Sequence, residues 1–141
     1  MKRRSFIKNT VALGAASAFM ASVIPQAFGA SGSPDAHTPG TIVHSVYFWL
    51  KKSISPSEEK EFLKFFEVLR KIPGVKSLTF GKPAPTTRRE VTDNSFDYNL
   101  IVTFARMEDI NSYETHPEHL KAAGEFSKYW VRVQVRDTMI G

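Results

Sequence analysis

The chain has 141 residues, contains no cysteine and carries 19 Lys and Arg residues against 14 Asp and Glu residues. Its length suits one domain, and without cysteine it can form neither a disulfide nor a lipid-bearing thioether. Four basic residues, Lys2, Arg3, Arg4 and Lys8, lie before residue 10, so the remainder carries 15 basic and 14 acidic residues, a net charge of +1. The bulk charge therefore does not indicate a nucleic-acid partner.

The first 30 residues follow the order of an export signal, which is basic, then apolar, then small. Residues 10–24 carry no charge, and this run of 15 residues is short for a helix that must cross about 30 Å of hydrocarbon. We therefore expect no stable membrane anchor, although a retained anchor is the alternative.

The basic start contains the letters RRSFIK at residues 3–8, which match the twin-arginine signal pattern. Such signals are addresses read by a receptor. We predict a twin-arginine-type signal peptide at residues 1–30, a linker at 31–40 and a folded domain at 41–141. The twin-arginine export machinery is then a partner, and the protein is periplasmic or extracellular after signal cleavage. A basic start for the ordinary export route is the alternative.

The folded part opens with a predicted strand at residues 41–50, TIVHSVYFWL, which is rich in β-branched and aromatic residues. Both of its faces are largely apolar, which is typical of a strand covered on both sides. Ser55, Pro56 and Glu58 then form a helix start with a capping box. Apolar residues recur at helical spacing after this start, and Pro73-Gly74 ends the helix.

The remaining segments alternate between strands and helices. We predict strands at residues 75–81, 96–104 and 130–138, a loop at 82–95, and helices at 107–115 and from Pro117 to about residue 127. The order is β-α-β-β-α-β, the split ferredoxin-like arrangement. The fold class is therefore α+β: a four-stranded antiparallel sheet with helices on one face. The open face needs a cover, and a second copy of the sheet is the simplest one, forming a dimeric α/β barrel.

This order, together with particular residues, resembles the stress-responsive A/B barrel domain (Dabb) family, a dimeric α+β barrel group. The resemblance covers residues 41–138. It is carried by HSVYF at 44–48, IPGV at 72–75 with FGK at 80–82, DYNLIVTF at 97–104, YETHPEH at 113–119, Trp130 and VRD at 135–137.

The resemblance implies a homodimer with a small cavity between sheet and helices in each subunit. One plant branch of the family contains a polyketide cyclase that performs an aldol condensation without a cofactor. By similarity to it, Tyr113 and His119 are candidate catalytic residues, and His44 is a third. Carried over in the same way, an aromatic near the last strand corresponds to Trp130, and one from the first helix to Phe65. We expect Val46 and Phe48 to line the same ligand site.

An aldol cyclisation needs a base for a C–H proton and a donor for the developing enolate oxygen, roles that His and Tyr can fill. The alternative is architectural: the His-Pro-His segment can cap helices, and His44 can be a satisfied core residue. His116, His119 and His44 could also bind a metal, but Pro117 disturbs the spacing and no carboxylate is clearly placed to join. Haem is a further alternative. We predict no metal and no cofactor.

Two functions remain open from the sequence. The first is a homodimeric, stress-associated protein that binds a small apolar ligand without catalysis. The second is a cofactor-free enzyme acting on a small carbonyl-bearing compound. An enclosed pocket lined by Tyr113, His119, Phe65 and Val46 favours the second. The loop residues Arg88 and Arg89 are expected to be solvated, with gating of an anionic ligand as the alternative.

Overall fold

A computed structural model describes residues 37–141 of the chain. The strands are β1 (Ile42–Leu50), β2 (Val75–Gly81), β3 (Tyr98–Phe104) and β4 (Trp130–Met139), and the helices are α1 (Pro56–Arg70), α2 (Met107–Glu114) and α3 (Pro117–Phe126). The predicted signal peptide and most of the predicted linker lie outside the described residues. Within residues 37–141, no helix has the length and apolar character needed to cross a membrane.

The four strands form one antiparallel sheet in the order β2-β3-β1-β4. This is the predicted ferredoxin-like fold, and it leaves β1 and β3 in the centre. Every second residue of β1 is buried, from Ile42 to Leu50, because this face packs against the helices. The opposite face of β1 is half-buried and carries Tyr47 and Trp49.

Helix α1 begins as the sequence predicts. The Ser55 hydroxyl accepts a hydrogen bond from the Glu58 backbone N–H, and the Glu58 carboxylate accepts one from the Ser55 N–H, which completes the capping box. The chain turns away at Gly74, whose φ of +93° is readily adopted only by glycine. These two devices fix the length of α1 and direct the chain into β2.

An aromatic cluster forms the core between α1 and the sheet. The Phe48 ring packs against those of Phe62, Phe65 and Phe66 at centroid distances of 5.4, 6.1 and 5.6 Å. The Trp130 ring closes this cluster at 5.3 Å from Phe48. The cluster holds one end of the sheet against α1, while the sheet–helix contact at the other end is made around Phe104 and Tyr113.

The elements predicted from the sequence need three corrections. Strand β3 begins at Tyr98 instead of residue 96, because the Asp97 carboxylate accepts the Leu50 N–H at 2.7 Å and ends the ladder. A short 3-10 turn, Ser127–Tyr129, separates α3 from β4. Val131, Val133 and Val135 alternate with polar residues along β4, which predicts one dry face, but they are 68 %, 46 % and 47 % exposed. The register of β4 also shifts beside Trp49 and Leu50.

Candidate functional site

A cavity of about 510 Å³ lies between the sheet and the helices. Its apolar lining consists of Val46, Phe48, Phe65, Leu69, Leu100, Ala123, Trp130, Val133 and Val135. Its ionisable lining consists of His44, Tyr113, Glu114, His119 and Asp137. An apolar space with a few convergent polar groups is the usual form of a small-molecule site.

The pairing of β1 with β4 brings a histidine and a carboxylate together. His44 lies directly opposite Asp137 in the antiparallel register, so both side chains leave the sheet on the helix side. The His44 Nδ1 lies 2.6 Å from the Asp137 Oδ1. With the carboxylate ionised, Nδ1–H donates to it, and Nε2 is the ring nitrogen that remains to accept a proton.

The break between α2 and α3 positions the other polar residues. Tyr113 lies in the last turn of α2, and Pro117 begins α3. His116 caps α3 by accepting the Glu118 N–H at its Nδ1, so His116 is architectural. His119 is the third residue of α3, and its ring packs at 4.7 Å from that of Tyr113. The Tyr113 ring also meets the His44 ring edge-on at 6.0 Å.

Two polar atoms beside this cavity lack a partner. Within residues 37–141, the Tyr113 hydroxyl and the His119 Nδ1 are the buried side-chain polar atoms that make no hydrogen bond. A buried polar group without a partner costs about 1–3 kcal/mol. Native proteins tolerate few such groups, and a functional role is one of the standard explanations.

Burial keeps both groups in their neutral forms. It raises the pKa of the Tyr113 hydroxyl, and the negative charge of Glu114 raises it further. Burial also lowers the pKa of His119, with positive charge on His44 and His116 adding to the effect. Near neutral pH, Tyr113 is therefore a hydrogen-bond donor and His119 is an uncharged imidazole.

Replacing Tyr113 by phenylalanine should stabilise the fold, because the substitution removes a buried hydroxyl that has no partner. We expect the free energy of unfolding to rise by about 1 kcal/mol, as measured by urea denaturation. A loss of more than about 1 kcal/mol would mean that the hydroxyl has a structural partner, which would weaken its assignment to a ligand.

The stability of the protein should depend on His119 below neutral pH. An unfolded histidine takes up a proton near pH 6.5, whereas the folded His119 does so only at lower pH. Below about pH 6.5 the unfolded state therefore binds more protons, and the free energy of unfolding falls as the pH falls. We expect His119→Asn to lose less stability than the wild type between pH 7.5 and 5.5 in urea titrations. Equal losses in both proteins would contradict this expectation.

The cavity brings together the residues that the sequence and the family resemblance singled out. His44, Tyr113 and His119 line it, as do Val46, Phe48, Phe65 and Trp130. Arg89 does not: it borders a groove on the open face of the sheet with Tyr47, Trp49 and Arg136. The alternative in which the loop arginines gate an anionic ligand therefore receives no support at this cavity.

Glu114 and Asp137 have no role in the predictions made from the sequence. The sequence pattern places no carboxylate clearly beside the histidines, whereas in the structure His44, Glu114 and Asp137 place potential ligand atoms within 4.8 Å of one another. The expected metal grouping of His116 with His119 does not form, since His116 is a helix cap. The place of Asp137 in this site follows from its register opposite His44. The sequence pattern of the strands alone does not determine that register.

Comparison with known proteins agrees with this fold. Olivetolic acid cyclase from Cannabis sativa is 24 % identical over 97 residues, covering 68 % of this chain and 93 % of that protein. Hydroxynitrile lyase from Passiflora edulis has a TM-score of 0.63 at 20 % identity, with 74 % of this chain and 96 % of the lyase covered.

A dimeric ferredoxin-like protein of unknown function from Bacteroides fragilis has a TM-score of 0.56 at 21 % identity, with 74 % of this chain and all of that chain covered. The protein-family model of the Stress responsive A/B Barrel Domain matches residues 42–140. These residues span the whole sheet, its helices and the cavity. The chain therefore belongs to the stress-responsive A/B barrel domain family.

Proposed function

We propose that this protein is a cofactor-free enzyme that removes a proton beside a carbonyl group, as in aldol-type cyclisation. The observation that carries the proposal is the arrangement in the helix-side cavity. There, His44 is hydrogen-bonded to Asp137 through Nδ1, and the neighbouring Tyr113 hydroxyl is buried without a partner. An oriented base and an available donor are the two groups that enolate chemistry needs.

The proposed step moves one proton and one electron pair. His44 Nε2 takes the proton from the carbon next to the carbonyl, and the C–H electrons form the enolate. The negative charge collects on the carbonyl oxygen, where Tyr113 O–H donates a hydrogen bond. The Asp137 carboxylate stabilises the imidazolium that forms. The enolate carbon then attacks a second carbonyl carbon of the same ligand, and the oxygen of that carbonyl takes the proton from the His44 imidazolium; in the exchange reaction the enolate carbon takes a proton from His44 instead.

His119 has a supporting role in this proposal. Its ring packs against Tyr113, so it holds the phenol in place and offers a second neutral group near the enolate oxygen. The apolar lining limits water, which strengthens each of these interactions. Two of the similar proteins are named as enzymes, a cyclase and a lyase, and this agrees with a site for catalysis.

We also propose export and a homodimer. Export rests on the order of the first 30 residues, and a periplasmic or extracellular site follows from it.

The dimer rests on dimeric relatives with this fold and on the open sheet face, where the Arg132 guanidinium covers the Trp49 ring at 4.1 Å. Light scattering at micromolar concentration should give twice the monomer mass, and a monomer would contradict the dimer.

Deuterium exchange into a small ketone tests the proposed reaction. Benzylacetone is incubated with the protein in D2O, and proton NMR follows the hydrogens beside the carbonyl. We expect their signals to decay at a rate proportional to protein concentration and above the buffer rate. Exchange no faster than in buffer would overturn the proposal for such ketones, and binding without exchange would favour a ligand-binding role instead.

A further inference from the structure

The charged groups of the cavity are acidic at one end. Glu114 and Asp137 both line it, and each places a carboxylate oxygen within 4.8 Å of a His44 ring nitrogen and of the other carboxylate. Among the described residues that line the cavity, there is no lysine or arginine. A ligand entering this space therefore meets two negative charges. Among the residues that line the cavity, the histidines are the groups that can carry a positive charge.

The two carboxylates differ in how they are engaged. Asp137 is bonded to His44 at 2.6 Å, so its charge is committed to the histidine. Glu114 takes part in none of the ion pairs formed within residues 37–141, and its side chain is exposed at the end of α2. Its charge nevertheless reaches the cavity, since it contributes to the raised pKa of Tyr113. Glu114 therefore has no ion-pair partner within residues 37–141, and its carboxylate can accept a hydrogen bond from a ligand beside His44 and Tyr113.

The arginines of β4 and of the loop before β3 lie on the other side of the sheet. Arg89 and Arg136 border the groove on the open face, and Arg132 stacks on Trp49 on that same face. The sheet separates these guanidinium groups from the cavity. A carboxylate or phosphate on the ligand would therefore meet repulsion in the cavity, whose lining offers no lysine or arginine to offset it.

We propose that Glu114 is a specificity-determining residue that selects the charge of the ligand. The cavity takes carbonyl compounds that carry an ammonium group at the end facing Glu114, accepts neutral ones less tightly, and rejects carboxylates and phosphates. This inference rests on the proposed function, because it takes the helix-side cavity as the substrate site. It narrows the substrate class to amino ketones and related amine-bearing carbonyl compounds.

Three probes of nearly equal size test this selection. Phenethylamine, phenethyl alcohol and phenylacetate differ mainly in charge, and their dissociation constants can be measured by calorimetry at pH 7.5 and low salt, with EDTA present to remove metal ions. We expect the amine to bind at least about tenfold more tightly than phenylacetate, with the alcohol between them. The preference should weaken at high salt, because the carboxylates are partly exposed.

The matched variants are Glu114→Gln and Glu118→Gln. Glu118 is exposed in the first turn of α3 and does not line the cavity, so Glu118→Gln should keep the tenfold preference. Glu114→Gln should reduce it to within about threefold. Phenylacetate binding as tightly as the amine, no binding of any probe, or an unchanged preference in Glu114→Gln would each overturn the inference.

The binding and exchange experiments distinguish a failure of the charge preference from a failure of the proposed reaction. The preference is measured by binding alone, so a clear order of the three probes without deuterium exchange would overturn only the reaction. Exchange of benzylacetone with no order among the probes would overturn only the role of Glu114.

Discussion

Replacing Asp137 by asparagine should reduce deuterium exchange by at least about 100-fold, which is the lower range for loss of general-base catalysis. The carboxylate accepts a hydrogen bond from His44 Nδ1 and so leaves Nε2 unprotonated. An asparagine side chain can instead donate to Nδ1, which favours the tautomer with the proton on Nε2. That tautomer cannot accept a proton from the ligand, although the ring stays in place.

The exposed carboxylate of Asp93 supplies the control. Asp93 borders the groove on the open face of the sheet and does not line the cavity, so Asp93→Asn should leave the exchange rate within about twofold of the wild type. Binding of benzylacetone to Asp137→Asn should weaken far less than its exchange rate. If Asp137→Asn exchanges as fast as Asp93→Asn, the histidine–carboxylate pair is not the proton acceptor.

Replacing Phe62 by alanine should cost about 3–5 kcal/mol of unfolding free energy. The Phe62 ring is fully buried and packs against Phe48, Phe66 and Tyr98 at 5.4, 5.1 and 5.7 Å. Its removal leaves a void that these rings can only partly close. Domains of this size have total stabilities of about 5–15 kcal/mol, so the variant should be near the limit of folding.

Urea denaturation compares Phe62→Ala with Phe80→Ala. Phe80 touches the same cluster through Phe66 at 4.9 Å but is 39 % exposed, so its loss should cost less than half as much. Equal losses at both positions would show that the cluster does not carry the stability of the sheet–helix contact. Because Phe62 does not line the cavity, any folded fraction should keep its ligand preference.

Local signals in the sequence were enough for the elements and their order. Ser55 and Glu58 predict the start of α1, and both hydrogen bonds of the capping box are present. The β-branched and aromatic residues of 41–50 predict β1, which the structure confirms at Ile42–Leu50. These features depend on neighbours within a few residues, so the sequence contains all of the information that they need.

Features that depend on distant partners could not be predicted. The His44–Asp137 bond joins residues 93 positions apart, and it exists only because β4 pairs with β1 in one register. Val131 does not lie on the predicted dry face, because the register of this same strand pair shifts beside it. The proposed role of Glu114 depends on the position of the end of α2 beside the cavity, which the spacing of residues within YETHPEH does not indicate.

Histidine NMR tests most directly whether the cavity is where the ligand binds. The chain has four histidines: His44 and His119 line the cavity, whereas His37 and His116 do not. On addition of benzylacetone, we expect the ring signals of His44 and His119 to shift together in a saturable way, while those of His37 and His116 stay unchanged. Shifts confined to His37 or His116, or none at saturating ketone, would contradict a reaction site between the sheet and the helices.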